Sequence, residues 1–322
     1  MRAASYLLNM TKPIALAASA AIALSIAHSE PVRFYPDDLG QDGRITLSPG
    51  FSRDGTTLVL AQSECERIGP CPQYLKRSTW NGERWSRPER IPLPDDGRAD
   101  YPVFAPDGRS IIFAWGGPQP SGAYENFDLF SLGLEEGAEP ELLDYENLNR
   151  LRSGRTATLR YVNNEAPGAL TEEGDLYFFS ERLDEGPGER DIFVAPSDGE
   201  GGFLRARALG APINTDKRED TPWVTPDGNL MLFTASSRGG EGNADLFVST
   251  RSGGEWSDPE PLGPEANGPY ADFAGRLTPD GQTLVFSSAR PVKGRRGSVI
   301  QVWSVPVAEV PVLATALKES KN

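Results

Sequence analysis

The chain has 322 residues, of which 38% are hydrophobic, with 34 glycines, 28 prolines and a net charge of −14. This composition favours one large, turn-rich all-β domain over a helical protein. Such an acidic surface repels phosphate backbones and anionic lipid headgroups, which disfavours nucleic acids and membrane surfaces as partners.

Residues 1–29 have the pattern of a signal peptide, because Arg2 and Lys12 precede the apolar run Ile14–Ile26 and small residues follow it. We expect residues 30–322 to form a single domain in the periplasm or outside the cell, without membrane insertion; an uncleaved anchor is the alternative. Cleavage would also remove His28, the only histidine. A mature chain without imidazole is expected to contain neither a Ser-His-Asp or Cys-His catalytic group nor a His-containing zinc site.

Cys65 and Cys71 are the only two cysteines and flank a short loop that contains Gly-Pro. In an oxidising compartment this pattern predicts a disulfide that closes the loop. A redox-active pair is the alternative, but it usually has a two-residue spacing.

Five similar stretches follow one another at intervals of about 53 to 66 residues, which indicates an array of repeated units. In each unit an acidic residue and a glycine separate two apolar runs, and the glycine can adopt the positive φ of a hairpin turn. The five predicted turns contain Asp54-Gly55, Asp107-Gly108, Glu173-Gly174, Asp227-Gly228 and Asp280-Gly281.

A third apolar run follows each hairpin, as in "DLFVSTR" at 245–251, and a fourth follows another turn, as in "EWSDPEPLG" at 255–263 and "EVPVLATAL" at 309–317. Prolines in the fourth run suit an edge strand, where a missing N–H costs little. Four strands per unit, with the weakest outermost, predict the blades of a β-propeller.

The "PxxxPDGxxLxF" hairpin, the "DLFVS" third strand and the "WSxPxxL" fourth strand resemble the TolB-type Pro-Asp-Gly, WD40-like propeller repeat over nearly all of residues 44–317. The resemblance implies the fold but leaves the function open, since such propellers occur as binding modules, scaffolds and parts of enzymes.

We expect five four-stranded blades, with six as the alternative, at approximately 44–96, 97–160, 161–216, 217–268 and 269–317. Closure of the ring is expected from Val32–Tyr35 or from the strand at 44–47. Residues 146–164 are predicted to form a long loop; a short helix or part of a degenerate blade is the alternative.

Four acidic residues directly precede innermost strands, and we expect them to surround one mouth of the central channel, opposite the Pro-Asp-Gly turns. They are Asp100, Glu165, Asp220 and Asp272. Tyr101, Trp223 and Phe273 are expected beside them. These carboxylates can cap backbone N–H groups, pair with arginines, bind a hard cation such as Ca²⁺, or contact a polar ligand.

The absence of a nucleophile motif favours a non-enzymatic, monomeric binding or scaffold module of the cell envelope, whose ligand is a protein, peptide or glycan. The alternative is a glycoside hydrolase or lyase that uses two of the four carboxylates as acid and base or nucleophile.

Overall fold

A computed structural model describes residues 30–34, 44–65, 71–94, 97–116, 127–144, 146–149, 164–182, 185–294, 297 and 299–321. The predicted signal peptide lies outside these ranges, as does most of the predicted loop at 146–164. Within the described part of the chain, no helix is long and apolar enough to cross a membrane.

Within the described residues, twenty-one strands form five antiparallel sheets. After β1 (Val32–Arg33), blade 1 contains β2 (Thr46–Phe51), β3 (Thr57–Ser63), β4 (Gln73–Thr79) and β5 (Glu89–Arg90). Blade 2 contains β6 (Ala99–Phe104), β7 (Ser110–Trp115), β8 (Asp128–Gly133) and β9 (Glu141–Leu142). Blade 3 contains β10 (Glu165–Leu170), β11 (Leu176–Ser180), β12 (Asp191–Ala195) and β13 (Arg207–Ala208).

Blade 4 contains β14 (Arg218–Val224), β15 (Leu230–Ser236) and β16 (Asp245–Ser252), whose outer edge pairs with both β17 (Glu255–Trp256) and β18 (Glu260–Pro261). Blade 5 contains β19 (Asp272–Leu277), β20 (Thr283–Ser288) and β21 (Gln301–Pro306), with β1 as its outermost strand. The predicted all-β, five-bladed propeller is confirmed.

The ring closes between the two ends of the described chain, because Val32 pairs with Ser304 and Arg33 with Trp303 in an antiparallel ladder. The predicted fourth strand at 309–317 is wrong, since helix α1 (Pro311–Glu319) occupies that segment. Its proline stands at the first helical position, where a missing N–H costs nothing, and Leu313 and Ala316 recur at helical spacing and are buried. The helix therefore packs on the propeller, and β1 supplies the missing edge strand.

All five hairpin turns have a glycine with positive φ, which a side chain would disfavour. The φ angles are 71° at Gly55, 68° at Gly108, 88° at Gly174, 76° at Gly228 and 68° at Gly281. In the first turn Asp54 accepts hydrogen bonds from the hydroxyl of Ser52 at 2.6 Å and from the N–H of Thr56 at 3.0 Å. These hydrogen bonds lower the pKa of Asp54, so this acidic residue stabilises the turn.

Every innermost strand contains a β-bulge, where the register with the second strand shifts. At four of these bulges a non-glycine residue adopts the left-handed region, which is uncommon for L-residues. These residues are Ser48, Tyr101, Thr221 and Ala274. Because the conformation recurs in four blades, it belongs to the architecture and does not single out a functional residue.

The structure pairs Cys65 with Cys71, as predicted. The bond closes the loop between β3 and β4, the second and third strands of blade 1.

Replacing both cysteines by serine is expected to lower the free energy of unfolding by about 2 kcal/mol, because the bond closes only a short loop in the unfolded chain. Urea unfolding of the oxidised protein, the reduced protein and the double variant measures this difference. Identical midpoints for all three would contradict it.

Candidate functional site

The five innermost strands surround a central channel with two mouths. The acid-side mouth, where these strands begin, contains a cavity of about 570 Å³ whose wall includes Asp100, Tyr101, Glu165, Phe179 and Arg190. The turn-side mouth, beside the Pro-Asp-Gly turns, contains a cavity of about 470 Å³ whose wall includes Phe51, Trp223, Pro226, Arg276 and Leu317. The channel therefore offers two separate concave surfaces.

The four predicted acids occupy two different positions along the innermost strands. Asp100 and Asp220 stand opposite Ala114 and Thr234 of their second strands. Glu165 and Asp272 stand one position earlier, opposite Ser180 and Ser288. Because successive side chains of a strand point to opposite faces, the four carboxylates do not form a single ring.

The earlier position carries a third acid, Glu219, which faces Ala235 and which the sequence analysis did not select. In blades 3, 4 and 5 this acid pairs with an arginine that follows the second strand. The pairs are Glu165–Arg182 at 3.1 Å, Glu219–Arg238 at 3.7 Å and Asp272–Arg290 at 2.8 Å. A sequence signal existed for them, since "SER", "SSR" and "SAR" each end a second strand or follow it.

These arginines also connect each blade to the loop that precedes it. Arg182 donates a hydrogen bond to the carbonyl of Leu148, and Arg290 donates one to the carbonyl of Ala266 at 2.8 Å. Arg238 donates to Ile213 at 2.6 Å. The acids at the earlier position thus hold arginines that join neighbouring segments, which is a structural role.

Glu165 is 0% exposed and accepts a hydrogen bond from the hydroxyl of Ser180 at 2.7 Å. Burial raises the pKa of Glu165 to about 8, because the loss of hydration outweighs the attraction of Arg182, and the carboxylate of Asp128 adds to the rise. Glu185, 3.3 Å from Arg182, supplies that arginine with a second counter-charge.

Asp220 pairs with Arg190, whose Nη1 donates to the carboxylate at 2.7 Å. Arg190 also contacts Glu181. Burial by itself lowers the pKa of Arg190, but the two carboxylates outweigh it and the net pKa is raised. The charge of Asp220 is therefore neutralised within the protein.

Asp100 differs from the other predicted acids because it forms no ion pair with a described residue. It is buried beside the acid-side cavity and accepts the N–H of Tyr101 at 2.7 Å. Loss of hydration raises its pKa. The ring of Tyr101 meets that of Phe179 edge to face at 5.3 Å, and burial raises the pKa of the tyrosine. Phe273 lies on the same wall.

Trp223 lines the turn-side mouth and not the acid-side cavity. It follows Asp220 by three residues, and at about 3.3 Å per residue a strand advances roughly 10 Å over that distance. The predicted grouping of Trp223 with the acids is therefore not what the structure shows.

The described residues include no group of three acidic, cysteine or histidine side chains that could hold a metal ion. Arg182, Arg190 and Arg290 contact three of the four predicted acids. Three of the four carboxylates proposed for Ca²⁺ are thus engaged by arginines.

No protein-family model matches the sequence, and no curated protein matches it. A solved structure described as a glycoside hydrolase aligns over 86% of this chain and 91% of its own, with 11% identity and a TM-score of 0.56. The arabinanase Arb43A of Bacillus subtilis aligns over 81% of this chain and 94% of its own, with 12% identity and a TM-score of 0.50. An endo-arabinanase of Bacillus licheniformis aligns over 82% of this chain and 94% of its own, with 12% identity and a TM-score of 0.50. At such identities the likeness shows the fold alone.

Proposed function

We propose that this chain is an exported, monomeric binding propeller that recognises a peptide segment of an envelope protein at its acid-side mouth. One observation carries the proposal. Of the four predicted acids, Asp100 is the one that forms no ion pair with a described residue. Hydrolysis by paired carboxylates needs a second free acid, whereas binding does not.

The chemistry of the mouth suits a peptide. The guanidinium of Arg98 lies over the ring of Phe127 at 5.3 Å, and its buried Nε has no hydrogen-bond partner among the described residues. Asp100 provides an acceptor nearby on the same wall, and Tyr101 provides an aromatic surface. A peptide offers backbone donors and acceptors together with side chains of either charge, whereas a neutral glycan has no charge to pair with Arg98 or Asp100.

Two further observations support the proposed export and the proposed kind of propeller. The Cys65–Cys71 bond is typical of an oxidising compartment. The repeated Pro-Asp-Gly hairpin supports assignment to the TolB-type propellers.

The proposal can be tested by measuring the binding of the labelled protein, residues 30–322, to a displayed library of random peptides and, in parallel, to a glycan array. We expect enriched peptides whose binding falls at least about tenfold in Asp100→Asn, since a charged hydrogen bond is lost. The matched control is Leu204→Ser, at an exposed apolar side chain of blade 3. Binding of glycans alone, or peptide binding that Asp100→Asn leaves unchanged, would contradict the proposal.

A second candidate, a glycoside hydrolase, is favoured by one observation. Asp100 and Glu165 line the same cavity, and burial raises the pKa of both, as expected of a general acid. The solved structures reported above as a glycoside hydrolase and as the arabinanase Arb43A have the same fold. Against it, Glu165 is fully buried and already binds Ser180 and Arg182.

Incubation with arabinan and other polysaccharides, followed by a reducing-sugar assay, separates the two candidates. We expect no release above a heat-denatured control. Release that falls at least about a hundredfold in both Asp100→Asn and Glu165→Gln would establish the hydrolase in place of the binding module.

A further inference from the structure

Arg276 has an unusual environment for a buried arginine. It lies on β19, is 5% exposed, and lines the turn-side cavity. No described residue forms a hydrogen bond or ion pair with its guanidinium, and its buried Nε has no partner. By contrast, the buried arginines Arg182 and Arg290 each contact a carboxylate and a backbone carbonyl.

A buried guanidinium without a partner is unfavourable, because the charge loses its hydration and gains no counter-charge. Burial lowers the pKa of Arg276 to about 10, so the side chain still carries its charge at neutral pH. Such a cation attracts an anion strongly in the low dielectric of a channel.

The chain leaves space for this guanidinium. A Cβ built on Gly50 would lie 3.6 Å from Nη1 of Arg276, in contact with it, and 2.3 Å from the carbonyl oxygen of Pro102. The Pro102 carbonyl therefore requires a glycine at this point, and Gly50 places no side chain beside the guanidinium.

The rest of the cavity wall is mainly apolar, with Phe51, Phe104, Trp223 and Leu317 among its side chains. Its volume of about 470 Å³ falls within the usual range for small-molecule sites. The cavity thus combines one buried positive charge with aromatic and aliphatic surface.

The charges at the rim limit the net charge of a ligand. Two cations lie there, Arg53 and Lys321, and Arg53 pairs with Glu172 at 3.5 Å, with both of those side chains exposed. Asp227 and Asp280 belong to the neighbouring turns and line the same cavity. These carboxylates repel a multiply charged anion such as phosphate more than a singly charged one. They therefore favour a carboxylate.

We propose that the turn-side mouth binds a small organic monocarboxylate, whose carboxylate pairs with Arg276 while its apolar body contacts Trp223 and Leu317. This site lies at the opposite end of the channel from the peptide site and does not depend on it. Asp100 attracts Arg276 electrostatically but forms no ion pair with it. The charge at the acid-side mouth therefore weakens anion binding at the other end.

Calorimetric titration of residues 30–322 with hexanoate and benzoate tests the proposal, with hexanamide, benzamide and inorganic phosphate as matched probes. We expect the carboxylates to bind at least about tenfold more tightly than the amides and phosphate. Ligand-dependent quenching of tryptophan fluorescence should be largely lost in Trp223→Phe, which locates the site.

Arg276→Met, which keeps an unbranched apolar stem and removes the guanidinium with its charge, should weaken carboxylate binding at least about tenfold. Arg53→Met, at the rim, should change it by less than about twofold. Asp100→Asn keeps Arg276 and should strengthen binding about threefold, which gives a test even if Arg276→Met does not fold. The proposal would be overturned if Arg276→Met bound the carboxylates as tightly as the original protein, or if the amides bound as tightly as the carboxylates. It would also be overturned if Asp100→Asn failed to strengthen carboxylate binding, or if no carboxylate bound at concentrations up to about 10 mM.

Discussion

Replacing Gly168 with alanine is expected to lower the free energy of unfolding by about 3 kcal/mol, because the new methyl group would overlap a neighbouring blade. A Cβ at this position would lie 1.8 Å from the carbonyl oxygen of Pro222 and 2.8 Å from its carbonyl carbon. Both atoms belong to backbone, so neither can rotate away as a flexible side chain would. The innermost strands of blades 3 and 4 would have to separate. Urea unfolding measures the loss.

Gly210→Ala is the matched control, since a Cβ there meets no atom within 4 Å. We expect that variant to unfold within about 1 kcal/mol of the original protein, or to be slightly more stable, because alanine restricts the unfolded chain. If Gly168→Ala proved as stable as Gly210→Ala, the close approach of the two innermost strands would be wrong.

Replacing Glu165 with glutamine is expected to remove part of the pH dependence of stability. The unfolded chain releases the Glu165 proton near the ordinary value of 4.5, whereas the folded protein keeps it until about pH 8. This raised pKa contributes stability that is fully present below about pH 4.5 and is lost as the pH rises through 8. From pH 5 to pH 8 the folded protein should lose about 3 kcal/mol through this group.

Glutamine resembles the protonated carboxyl, so Glu165→Gln should match the original protein at pH 5 and exceed its stability at pH 8. Asp191, whose pKa burial raises to about 6, and Asp100 also titrate in the folded protein, so the informative quantity is the difference between the two proteins at each pH. Urea unfolding at several values from pH 5 to pH 8 provides it. If the free energies of unfolding of the two proteins changed in parallel with pH, Glu165 would be ionised throughout this range.

The repeated acids fall into two groups that differ in their position on the innermost strand and in their contacts. At one strand position they hold arginines that connect adjacent segments, and at the next position Asp100 is left without such a partner among the described residues. The propeller thus repeats its structural contacts between an acid and an arginine in blades 3 to 5 and varies the adjacent position. A ligand site on a propeller is expected where the repeat departs from its own pattern.

Local sequence predicted the elements that depend on neighbours in the chain. The Asp-Gly and Glu-Gly pairs predicted the five hairpins, because a tight turn requires a residue that tolerates positive φ. Their near-regular spacing predicted the five blades, and the short cysteine spacing predicted the disulfide. Each of these features involves residues that are close together along the sequence.

One misjudged segment shows the limits of local patterns. The sequence predicts a fourth strand at 309–317, although the apolar spacing of this segment also fits α1 (Pro311–Glu319), the helix that forms. The edge position is filled by Val32–Arg33 from the other end of the described chain, within the segment Val32–Tyr35 that was one of two predicted ways to close the ring. Local patterns left two candidates for closing the ring, and only the pairing of distant segments decides between them.

The sequence by itself determined the blade, because the order of turn, apolar strand and edge strand is encoded within each repeat. Only the tertiary structure decided which side chains line the channel. It showed that Asp100 and Glu165 differ in register, that Trp223 lies at the turn-side mouth, and that Arg276 is buried there without a partner among the described residues. The reason is that closure of the ring brings together residues from blades far apart in sequence, and a one-residue change of register on a strand reverses the side of the sheet that a side chain faces.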